Sequence, residues 1–184
     1  LKLAAAGVPG ANSIGGVFYF ANGFDTTTKG MDLVATYPLT ANTNLSAAVS
    51  YNDTEFDTDP SAYLNVEDQF DFENLLSDWR GIYTITHDIN DLRLLARASY
   101  YGEFENSNRN PWPNIQHYDS TWFVDVEASY RLNESLTLTA GGRNVGDTYP
   151  EKDAIADYCC GRQYASGSYV DWQGAFYYGR VNFS

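Results

Sequence analysis

Residues 136–149, LTLTAGGRNVGDTY, and residues 176–184, FYYGRVNFS, decide how the rest of the chain is read. The first stretch reads as a strand that stops at Asn144-Val145-Gly146-Asp147, residue types that favour a turn because Gly tolerates positive φ and Asn and Asp bond their own backbone. The second reads as another strand, with Tyr177, Gly179, Val181 and Phe183 on one face. Between them lies the longest irregular segment of the sequence.

Working outward from this pair, period-two alternation recurs upstream. Val17–Phe24 is aromatic on both faces, so its register is ambiguous. Thr28–Tyr37 sets Met31, Leu33, Ala35 and Tyr37 against Gly30, Asp32, Val34 and Thr36. Leu45–Phe56, Trp79–His87, Leu92–Phe104 and Thr121–Leu132 alternate in the same way, the last with Trp122, Val124, Val126, Ala128 and Tyr130 opposite Asp125, Glu127, Ser129 and Arg131. About eight strands result. A short helix over Glu67–Leu76 is expected inside the acidic segment 57–78, where alternation is lost and Pro60 interrupts.

Connection lengths alternate. The turns around Asn42, Asn90 and Asn133 are short, and in an up-and-down sheet all three fall at one end. The long connections 57–78, 105–120 and 146–174 fall at the other, the asymmetry of outer-membrane barrels. A membrane helix needs roughly 18 or more apolar residues in a row. The apolar run near Phe18 covers only Val17–Ala21, so helical spanning is excluded. The chain begins at Leu1 without a signal-like segment, and reads as part of something longer.

Composition narrows the function. A net charge of −13 is wrong for wrapping phosphate backbones, so nucleic acid is not an expected partner. Aromatic residues make up 16% of the chain, with fifteen Tyr. Trp122 and Tyr130 bracket an apolar stretch of their strand and stand on the order of 26 Å apart along it, or about 19 Å in height at a tilt of roughly 45°. That is near the height of an apolar membrane band between two aromatic girdles. Trp79, Tyr83, Tyr100 and Tyr177 are the further girdle candidates. Arg93, Arg97, Asp125, Glu127, Arg131, Arg143 and Arg180 all lie opposite the apolar face. The fold class expected is therefore all-β, an antiparallel up-and-down transmembrane barrel segment.

Phe18-Tyr19-Phe20-Ala21-Asn22-Gly23 followed by Thr28-Lys29-Gly30-Met31-Asp32-Leu33, then Leu136–Tyr149, then Tyr178–Phe183, in this order and spacing, resemble the last third of the barrel of TonB-dependent outer-membrane receptors. Asn22, Gly30, Asn144, Asp147 and Phe183 carry the likeness. The resemblance implies that residues 1–184 are the C-terminal portion of a barrel of about 22 strands. It also implies a Gram-negative outer membrane with lipid and lipopolysaccharide around the chain, and energised uptake of a scarce nutrient such as a ferric siderophore, a corrinoid or an oligosaccharide. No cofactor is implied. The plug and the TonB box are not within the chain, so contact with the TonB complex would run through a missing N-terminal part. The family normally ends on an aromatic; here Phe183 is followed by Ser184, and one further aromatic residue is expected.

Candidate sites lie in the long connections. Asn106–Tyr118 offers Arg109, Trp112, His117 and Tyr118, whose rings and donors suit a sugar or a catecholate chelate. Cys159 and Cys160 are adjacent, with Cα atoms about 3.8 Å apart, short of the usual disulfide range. Two free thiols, a strained vicinal bridge and pairing with distant cysteines remain open, and a structural disulfide is favoured over a metal ligand. The acidic run Asp53 to Asp78 matches no defined calcium loop and reads as solvated surface. His87 and His117 fall at opposite ends of the sheet. No catalytic constellation emerges, so no enzyme is expected. The alternative is a complete eight-stranded outer-membrane barrel with a structural or adhesin role, whose first and last strands would pair; a lipocalin-like binder would need its apolar residues facing inward.

Overall fold

The computed structural model describes residues 7, 22–107, 114–154, 163–165 and 172–183. Its main element is one seven-stranded antiparallel sheet, built from β1 (Thr26–Thr40), β2 (Thr43–Phe56), β3 (Trp79–Ile89), β4 (Leu92–Tyr101), β7 (Thr121–Asn133), β8 (Leu136–Arg143) and β9 (Phe176–Phe183) in that order. Every neighbour in the sheet follows its partner in sequence, save that β4 meets β7 after a small excursion. In that excursion β5 (Phe104–Ser107) and β6 (Ile115–Tyr118) form a separate two-stranded hairpin. One helix, α1 (Val66–Asn74), sits in the connection between β2 and β3.

Four expectations change. The strand expected over Leu92–Phe104 ends at Tyr101. The chain turns out of the sheet at Gly102, whose N–H donates to Trp79 O and where a Cβ would stand 2.7 Å from Ser77 Oγ. The segment after it, read as irregular, is strand-paired, with Phe104 opposite Tyr118 and Ser107 opposite Ile115. The strand read as Thr28–Tyr37 runs from Thr26 to Thr40. Of the expected strand Val17–Phe24, residues 17–21 lie outside the described residues and 22–24 are not strand.

The registers turn alternation into two continuous faces. On one, Leu33 stands opposite Val49, Ala47 opposite Tyr83, Ala98 opposite Val124, Val126 opposite Gly142 and Leu138 opposite Val181. On the other, Ser50 faces Arg80, Arg97 faces Asp125, and Glu127 faces Gly141, which faces Tyr178. Among the described residues no second layer covers the apolar face. Among the described residues only Tyr118, Phe123 and Ala165 are buried hydrophobic side chains, while Leu33, Trp122 and Val181 are 58%, 49% and 67% exposed. A sheet with one apolar face must bury that face against something, so this face calls for a partner outside the described residues. Aromatic rings gather toward the long-loop end of this face. Tyr51 packs on Trp79 at 4.8 Å, and Trp122 touches both Tyr100 at 4.8 Å and Tyr83 at 5.8 Å.

Candidate functional site

The long connections form a rim tied by named bonds. Asn65 caps α1 by accepting from Asp68 N at 2.8 Å, and Glu67 and Asp68 lie in its first turn, where the helix dipole favours acids. Phe72 of the helix stacks on Phe56 at the end of β2, with Phe24 edge-on to both. Asp71 Oδ1 accepts from Ser107 N, and Glu67 O accepts from Ser107 Oγ, so the helix holds the β5–β6 hairpin. On the hairpin's other side Gln116 Nε2 donates to Lys152 O and Gln116 Oε1 accepts from Ala154 N. The hairpin thus bridges the first and third long connections.

Between helix, hairpin and sheet lies a depression of about 360 Å³ lined by Asp53, Glu55, Glu73, Asp78, Glu103, Glu105 and His117. His117 is half exposed, with Glu105 at 3.4 Å, Glu103 at 3.6 Å and Asp119 at 3.9 Å. Burial, and secondarily the charge of Asp53, push the Asp78 carboxyl up. Asp59 is held down by Ser61 N, which donates to it. Among the described residues no group of three or more His, Cys, Asp or Glu side chains is placed to hold a metal ion.

Of the loop residues singled out from sequence, His117 faces this basin. Tyr118 is 2% exposed and stacks on Phe104 at 4.6 Å, so its ring serves the hairpin's packing. Arg109, Trp112, Cys159 and Cys160 lie outside the described residues. Trp79, Tyr83, Trp122, Tyr130 and Tyr177 are exposed on the apolar face, and Tyr100 is half-buried against Trp122.

The signature turn after β8 is held on three sides. Asn144 adopts φ 48° and Asp147 φ 50°. Asn144 Nδ2 donates to Thr148 O at 2.7 Å while its Oδ1 accepts from Thr148 N at 3.0 Å. Its own N–H donates to Asp125 Oδ1 at 2.9 Å. Asp147 Oδ1 accepts from Ala175 N at 2.9 Å, fixing the chain where it enters β9. Nearby Tyr149 has its hydroxyl pushed up by its bond to Asp147.

The polar face below the turn carries features the alternation did not show. Tyr178 Oη donates to Glu127 Oε2 at 2.6 Å, and Arg180 reaches the same oxygen at 3.3 Å. Phe176 and Tyr178 stack at 6.2 Å beside Arg143 in a depression of about 430 Å³ that also includes Arg97, Asp125 and Glu127. A second depression, of about 300 Å³, adjoins it and shares Asp125, Arg143 and Phe176, with Tyr101, Phe123 and Gln173 on its far side. Alternation puts Arg97, Arg143 and Arg180 on one face; only the register shows which of them share a pocket.

A family model described as TonB dependent receptor-like, beta-barrel matches residues 3–145. No curated protein matches the sequence. Among solved structures, the pyoverdine outer membrane receptor FpvA from Pseudomonas aeruginosa PAO1 is similar with a TM-score of 0.59 and 16% identity, covering 88% of this chain and 22% of that one. The siderophore receptor PiuA from Acinetobacter baumannii gives a TM-score of 0.58 and 20% identity over 86% of this chain and 22% of its own. The copper transporter OprC gives 0.57 and 17% over 87% of this chain and 24% of its own. The chain therefore spans about a fifth to a quarter of the length of these structures.

Proposed function

The chain belongs to the TonB-dependent receptor-like β-barrel family of the Gram-negative outer membrane, and from that premise we propose that it forms the C-terminal strands of a barrel of about 22 strands that imports a scarce nutrient with energy supplied through TonB. The observation that carries the reading is the seven-stranded sheet, uncovered among the described residues: a continuous apolar face with exposed Leu33, Trp122 and Val181 on one side, a charged face on the other, and the long connections at one end. In a barrel the first face meets lipid, with Trp79, Tyr83, Tyr100, Trp122, Tyr130 and Tyr177 as its aromatic girdle, and the second lines the lumen. The rim would face the outside, and Arg109, Trp112 and His117 would be among the first groups a ligand meets. The resemblance to receptors named for pyoverdine, for siderophores and for copper supports a metal-bearing ligand for this chain too.

A small closed barrel gains no support. β1 and β9 are the two ends of the sheet and do not pair among the described residues. The test is uptake in the native bacterium. Deleting the encoding gene should abolish energy-dependent accumulation of one iron or copper complex, and dissipating the proton gradient should abolish it equally. Accumulation unchanged by the deletion across such complexes refutes the reading.

A further inference from the structure

On the polar face, β4, β7, β8 and β9 bring three guanidinium groups around two carboxylates, each of which already accepts a hydrogen bond. Glu127 Oε2 receives the Tyr178 hydroxyl and Arg180, and Asp125 Oδ1 receives the N–H of Asn144. Arg97, although directly opposite Asp125 in the register, forms no ion pair among the described residues, and neither does Arg143. The arginines at the short-turn end are different. Arg93 is paired with Asp88 at 2.7 Å and Arg131 with Asp91 at 2.8 Å.

We propose that Arg97 and Arg143 form a site for the carboxylate group of a small ligand, seated in the joined depressions they line. A guanidinium presents a planar fork of donors that matches a carboxylate bidentately. The depressions, of about 430 and 300 Å³, are of small-molecule size, and Phe176 and Phe123 give them apolar sides against which a ligand's carbon frame packs. The site deepens the uptake reading and rests on it in one respect: the polar face must line a space that small molecules enter.

The test uses the receptor purified at its natural length from outer membranes and titrated by calorimetry with succinate, and with succinamide as its uncharged counterpart. Succinate should bind and succinamide should not. Arg97→Gln and Arg143→Gln should each weaken succinate by about tenfold or more, Arg143→Lys by less, and Arg93→Gln not at all. An unchanged thermal midpoint for one of the two glutamine variants keeps the comparison free of misfolding. Succinate that fails to bind, or binds equally to Arg97→Gln and Arg143→Gln, overturns the site; a carboxylate of the protein itself filling the pocket gives the first of these results. Binding that follows the arginines in a protein that supports no energised uptake leaves the site standing and removes the transport reading instead.

Discussion

Tyr178 on β9 reaches across β8 to Glu127 on β7, its hydroxyl 2.6 Å from Glu127 Oε2, over the one position in between, Gly141, that has no side chain. A Cβ built there would lie 2.6 Å from the Tyr178 ring and hydroxyl and 2.9 Å from Val126 O. Three strands are thereby stitched by one side chain. Tyr178→Phe keeps the ring and removes the bond, and should cost about 1 kcal/mol, the central value for a hydrogen bond, read as a lower thermal or denaturant midpoint of the receptor. Arg180→Gln should cost less, because that pair is half exposed and such pairs are worth little.

Gly141→Ala forces the Tyr178 ring off its seat, so the two positions should be coupled. In a Tyr178→Ala background the cost of Gly141→Ala should fall well below its cost in the parent. Equal costs in both backgrounds would mean that Gly141 serves the backbone alone.

Asn144 combines a left-handed backbone with two bonds to Thr148. Asn144→Ala loses both bonds and keeps the unfavourable φ, and should destabilise by about 1–3 kcal/mol; Asn144→Gly, which relieves the φ, should cost less. Limited proteolysis checks it, with faster cleavage between residues 148 and 175 in the alanine variant.

The rim carries a pH signature. The Asp78 carboxyl is pushed up by burial and then by Asp53, so its neutral form is the one the fold favours. Its contribution to stability is fully present below the usual aspartate range and is lost as pH rises through the raised value. Asp78→Asn cannot ionise. It should therefore stabilise the rim at neutral pH, and the gain should shrink as the pH falls through the raised value and be gone below the usual aspartate range, as read from protease resistance of the loops across a pH series.

Much of this was legible in the residues, for a physical reason. In β2, β3, β4 and β7 one face meets lipid and the other water, so each side chain had to declare its side and the alternation is clean. The Asn144–Asp147 turn was legible because few residue types accept positive φ. The β5–β6 hairpin was not: it lies above the sheet, where Asn and Pro dominate and neither strand has a lipid face, and its one strong signal was the pair of aromatics at 104 and 118 that proved to stack. The contact between Tyr178 and Glu127 is separated by 51 residues and depends on two registers, one shifted between Arg131 and Asn133. Alternation assigns faces and leaves such shifts unspecified.

The central claim is the orientation of the sheet in the outer membrane, and epitope insertion on living cells tests it most directly. A short epitope placed after Asp59, in the long connection between β2 and β3, should be stained by antibody on intact cells. The same epitope placed after Asn90, in the turn between β3 and β4, should be stained only after the outer membrane is permeabilised. Staining of the Asn90 insertion on intact cells, or of neither site until the cells are opened, would contradict the account.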